Sequence, residues 1–124
     1  MPRMNRRRML EALMALMNSP AVSLKRGRLR REHGLTTYDG AGGDVRNVRI
    51  KIDGRNAAVL TIAIHELLHV FMEQQYNVAT LFSNELEEAI VKALADDLGD
   101  YINDPKNEHL LAQWARAVAA KMGE

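Results

Sequence analysis

The residues whose types and spacing could do chemistry lie in one apolar run, Thr61-Ile62-Ala63-Ile64-His65-Glu66-Leu67-Leu68-His69-Val70-Phe71-Met72. On a helix, positions four apart sit one turn apart on the same side, so His65 and His69 can grip a single divalent ion between them. Glu66 leaves the same turn at another angle and can serve as general base toward a water at that ion. His-Glu-x-x-His on a helix is the pattern used for zinc-assisted hydrolysis of peptide bonds. Around it, Val59, Leu60, Ile62, Ile64, Leu67, Leu68, Val70, Phe71 and Met72 leave no polar face, so the helix is expected to be buried. Burying two imidazoles and a carboxylate without partners costs on the order of several kcal/mol, and a metal is the simplest compensation. The competing expectation is a central helix whose histidines bond backbone carbonyls and whose Glu66 pairs with an arginine.

A catalytic zinc takes three protein ligands and keeps one position open. The chain has no cysteine, so disulfides and thiolate sites are excluded and the third ligand is a histidine or a carboxylate. His33 and His109 have no supporting motif. Glu85, Glu87 and Glu88 stand at the start of the next expected helix. At about 3.6 residues per turn, Glu87 falls in line with Ile90, Val91, Leu94 and Leu98, inside an apolar stripe. Glu88 falls on the wet side with Lys92, where an i, i+4 pair can form. Glu87 is therefore the expected third ligand and Glu88 the alternative. The plain reading of Glu87 is an acid favoured by the dipole of a first turn. Tyr38, Arg49 and Tyr101 are candidates, by type only, to stabilise an oxyanion.

These residues need elements to hold them. Residues 5–17 place Met9, Leu10, Leu13, Met14, Leu16 and Met17 at helical spacing, and Asn18-Ser19-Pro20 stops that helix. Residues 21–29 and 34–38 are short strand candidates. After the turn Asp39-Gly40-Ala41-Gly42-Gly43-Asp44, a third strand over 48–53 alternates Val48, Ile50 and Ile52 with Arg49, Lys51 and Asp53. Asn56 caps the motif helix, which runs to about residue 75, and 76–82 form a connection. Ser83 or Asn84 caps a further helix with the stripe Leu86, Ile90, Ala93, Leu94 and Leu98, fraying at Gly99 or Asn103. Asp104-Pro105 opens a last helix over 106–121 that buries Leu110, Leu111, Trp114, Ala117 and Val118. The expected fold is α+β: one helix-rich domain, residues 1–124, with a small antiparallel sheet packed on the active-site helix. An extended peptide would pair with strand 48–53.

A chain of 124 residues with balanced charge suits one domain. No apolar run is long enough to cross a bilayer, and no membrane partner is expected. Arg6-Arg7-Arg8 followed by Met9 to Met17 faintly resembles a signal peptide, but the apolar part is short, contains Glu11 and lacks a cleavage site, so a cytoplasmic location is expected. Charge is uneven: Arg3, Arg6, Arg7, Arg8, Lys25, Arg26, Arg28, Arg30 and Arg31 precede Glu32 with Glu11 alone opposing them, and the segment after Met72 is acidic. That asymmetry suits either a nucleic-acid or acidic-partner surface or two solvated faces that neutralise each other. Sparse aromatics in the basic part and the lack of a binding motif favour the second.

His65-Glu66-Leu67-Leu68-His69 followed by Leu86-Glu87-Glu88-Ala89-Ile90 resembles the Glu-zincins, and more narrowly the small HExxH metallopeptidases of phages and prophages. The matching residues outside the motif are Gly34-Leu35, Val48-Arg49-Ile50-Lys51-Ile52 and Glu87-Glu88-Ala89-Ile90, and the likeness spans residues 34–98. It implies a zincin-like fold, Zn²⁺ on His65, His69 and Glu87, Glu66 as catalytic base, and a peptide or protein substrate. Two departures stand out: the connection from His69 to Glu87 is longer than in compact members, and Val91 stands where larger members carry an aspartate that orients a ligating histidine. The alternative function is a catalytically weak or inactive zincin-fold binding module that grips a protein or nucleic acid through its basic N-terminal part.

Overall fold

The computed structural model describes residues 5–53 and 58–123, without the side chain of Thr80. The expected cap Asn56 lies outside the described residues. Helix α1 (Arg6–Met17) begins at Asn5, whose Oδ1 accepts from the Arg7 N–H at 2.8 Å. It buries Met9, Leu10, Leu13 and Met17 on one side.

Strands β1 (Val22–Gly27), β2 (Gly34–Asp39) and β3 (Arg46–Asp53) form a three-stranded sheet in the order β1-β3-β2. β3 pairs parallel with β1 and antiparallel with β2, so the sheet is mixed where the sequence suggests an antiparallel one. Burial explains the order. β3 buries Val48, Ile50 and Ile52 and gains most from the centre, at about 1.5–3 kcal/mol per fully buried side chain. β1 buries only Val22 and Leu24, and β2 buries no residue, so these two take the edges. β1 and β2 are consecutive yet leave a slot between them, which β3 fills from the far side. Gly40, at φ 82°, turns β2 into β3, and Asn47, at φ 50°, lies where the β2–β3 register shifts.

Helix α2 (Val59–Tyr76) packs on the apolar face of the sheet, with Ala63, Ile64, Leu67, Leu68 and Val70 in the core. Asn77 ends it in the left-handed region at φ 51°. The expected connection contains a single helical turn, α3 (Val78–Leu81). Helix α4 (Asn84–Asn103) then returns alongside α2, capped by Ser83, whose Oγ accepts from the Leu86 N–H at 3.1 Å. Its buried residues are Val91, Ala95, Leu98 and Ile102, while Leu86 is exposed. The inward stripe is thus turned away from Leu86 and Ala93 relative to the sequence expectation. Helix α5 (Glu108–Lys121) closes the core with Trp114 and Val118.

Candidate metal centre

The motif histidines face a cleft of about 790 Å³ whose floor is α2 and whose walls are β2 and α4. The α2–α4 hairpin sets the pairing of the two helices. His65 stands opposite Glu88, with Nε2 to Oε1 at 2.7 Å, and His69 Nε2 lies 3.0 Å from Glu88 Oε2. One carboxylate therefore spans both imidazoles. His65, His69 and Glu88 each offer an atom within 4.8 Å of the others. Tetrahedral ligands at about 2.0–2.1 Å from zinc stand roughly 3.3 Å apart, and the two measured histidine–Glu88 separations are 2.7 and 3.0 Å. The donor set fits such an ion.

Glu87 is not part of this group. Its Oε2 lies 2.7 Å from His69 Nδ1, on the opposite side of the ring from Glu88. Both ring nitrogens of His69 thus face a carboxylate, Nδ1 toward Glu87 and Nε2 toward Glu88, and Nε2 is the nitrogen turned to the cleft. Both acids fall where helix phase puts them: the Glu87 side chain is 20% exposed and that of Glu88 56%. The wet side of α4 at Glu88, Lys92 and Asp96 is itself a wall of the cleft.

Glu66 is 7% exposed, and its Oε1 accepts from the Thr36 hydroxyl at 2.7 Å. Its Oε2 is 4.0 Å from His65 Nε2. No arginine pairs with it among the described residues. β2 can come this close because Gly34 has no side chain: a Cβ there would meet Ile62 Cγ2 at 2.7 Å and Glu66 Cγ at 2.9 Å.

Of the three oxyanion candidates, only Tyr38 lines the cleft. Burial, then Glu73 and Glu87, raises the pKa of its hydroxyl, which keeps its proton. Arg49 lies on the outer face of the sheet with Thr37 and Asp39. Tyr101 sits under the Arg6 guanidinium, 6.0 Å from the ring centroid. His33 is at the cleft wall, whereas His109 is exposed on α5, outside it. The free edge beside the cleft belongs to β2, because strand 48–53 is central and paired on both sides.

The sequence reading passed over Glu73, which is 1% exposed. It accepts from the Gly42 N–H at 2.7 Å and the Ala79 N–H at 2.9 Å, tying the β2–β3 turn and α3 to the motif helix. The signal was available: Glu73 lies two turns beyond Glu66 on the same buried side. Comparison with known proteins found no matching family model, curated protein or solved structure.

Proposed function

We propose that this protein is a zinc-dependent peptide hydrolase in which His65, His69 and Glu88 hold the ion and Glu66 is the general base. The observation that carries the reading is the approach of Glu88 to the inward nitrogens of both motif histidines, beside a buried carboxylate facing the same cleft. A zinc ion bound there supplies a water of near-neutral pKa and a Lewis acid for the scissile carbonyl.

The chain's own groups do the rest. Thr36 holds Oε1 of Glu66, so Oε2 is the oxygen that takes the proton and later delivers it to the leaving amine. Glu87 holds the Nδ1 proton of His69 and leaves the Nε2 lone pair for ligation; this is the orienting role a second carboxylate plays beside a metal-bound imidazole. Tyr38, protonated at neutral pH, is the available donor to a developing oxyanion. An extended peptide fits along the free edge of β2, where backbone pairing positions it over His65 and Glu66. The zincin-like fold and the phage-type family likeness rest on the motif and on this ligand arrangement.

The test is metal content together with turnover. About one zinc per chain is expected in the wild type, lost in Glu88→Ala and bound about 10–100-fold more weakly in Glu87→Ala. Glu66→Gln should keep the ion and lose about 10²–10⁴ in hydrolysis of a denatured protein substrate. A wild type without zinc, or full zinc in Glu88→Ala, overturns the ligand set. Zinc binding with no turnover in the wild type favours the binding-module reading, which the exposure of Glu88 at the cleft rim also suits.

A further inference from the structure

We infer that the outer face of the sheet, with the loop leaving β1, docks the phosphate backbone of double-stranded nucleic acid. The inference is independent of the metal centre. Lys25 and Lys51 are direct neighbours across the β1–β3 pair, and both are exposed. A Cβ on Gly27 would come within 2.9 Å of Lys51 Cδ and Cε, so the Lys51 stem leans across β1 over Gly27, toward the end of the sheet where the arginine loop leaves. Arg28, Arg30 and Arg31 are exposed on the loop that leaves the same end of the sheet. Among the described residues, none of these five side chains has an ion-pair partner. Like charges directly opposite in a sheet are unfavourable, so the cluster is held against its own repulsion.

Two plainer accounts cover only part of it. Lysines on an edge strand discourage edge-to-edge association, which explains Lys25 on β1 but not Lys51 on the central strand. Neutralisation within the chain holds for α1, where Arg6 grips Asp97 of α4 at 2.8 Å and Arg7 lies 3.8 Å from Glu11 one turn along α1. On the sheet, Arg49 has Asp39 at 3.5 Å, at the other end from the cluster. What is left, among the described residues, is a cluster of five exposed cations without an ion pair, with Glu32 as the one acid on the same loop.

The chemistry of the face selects the anion. Its other exposed or half-exposed residues include Ser23, Leu35 and Thr37, and it carries no aromatic ring among the described residues. Single-strand binders stack bases on aromatic side chains. Lysines, arginines and hydroxyls without rings contact phosphates and read no sequence, as a duplex backbone requires.

The test is fluorescence anisotropy of the full chain with a labelled random-sequence DNA duplex, titrated between about 50 and 200 mM salt. Five phosphate contacts predict a slope of log affinity against log salt of about −4.5, a loss on the order of several hundred-fold over that range. Lys25→Ala/Lys51→Ala should flatten the slope by about two units, and Arg116→Ala, on the exposed side of α5, should leave it unchanged. Far-UV circular dichroism confirms that the variants are folded. An unchanged slope in the double variant, tighter binding of the single strand than of the duplex, or binding to phosphatidylserine vesicles without binding to the duplex each overturns the inference.

Discussion

Two buried carboxylates sit two turns apart on α2 and face opposite tasks. Both oxygens of Glu73 are occupied by backbone N–H groups, from Gly42 and Ala79, and the group is sealed from water. Glu66 has one oxygen held by a hydroxyl and the other turned toward a cleft. A carboxylate with an amide on each oxygen, sealed from water, ties elements together and is out of reach of a reacting group. One held on a single side keeps its orientation and its capacity. The contrast teaches that burial alone does not mark a carboxylate able to exchange a proton with a ligand; what matters is whether an oxygen is left open to the cleft.

That contrast can be broken by exchange. Glu73→Ala should lower the unfolding free energy by about 3 kcal/mol or more, because two buried N–H groups lose a charged acceptor, as read by urea denaturation. Glu66→Gln should stay within about 1 kcal/mol of wild type, since a glutamine oxygen still accepts from Thr36. If Glu66→Gln were the less stable of the two, the division of labour would be wrong. Gly34→Ala tests whether the close approach of β2 matters: the added methyl should cost about 1–3 kcal/mol by overpacking. It should also reduce turnover by displacing Glu66, and an unshifted melting temperature would refute the tight fit. A smaller effect is expected at Thr36. The valine variant should lose about tenfold in kcat, the equivalent of one ordinary hydrogen bond, with KM little changed and serine restoring the rate.

The smallest effect concerns a carboxylate at the surface. The hydrogen bond from Arg6, reinforced by its charge, holds Asp97 below the usual carboxyl range. A depressed folded-state pKa contributes stability above the unfolded value of about 3.9 and loses it as pH falls through the folded value. Asp97→Asn should therefore melt slightly below wild type near neutral pH, and the two should converge in acid. A gap that widened in acid would contradict the assignment.

Local pattern carried much of this architecture. The motif helix, the β3 alternation and the Ser83 cap are all short-range signals, and each element lies within a few residues of its expected place. The strand order was not legible, because pairing is set by which strand gains most from the centre, a non-local competition that β3 wins. Which glutamate reaches both histidines turned on a subtler point. Helix periodicity correctly put Glu87 inward and Glu88 outward, yet exposed positions divide again into open surface and cleft wall. Only the packing of α4 on α2 decides which is which. Helix phase marks Glu73 as buried, but its partners, Gly42 and Ala79, belong to elements whose position the sequence does not specify.

The left-handed Asn77 that ends α2 bears on where the chain can change length. Because a corner and a separate single turn, pinned to α2 by Glu73, join the two helices, length can vary only in the short link between α3 and α4 without disturbing α2. The angular setting of α4 is not free. One residue inserted between Asn84 and Glu88 would rotate the acid by about 100°, which exceeds what a glutamate side chain can recover. The centre therefore tolerates a change of length just before α4 and none between Asn84 and Glu88.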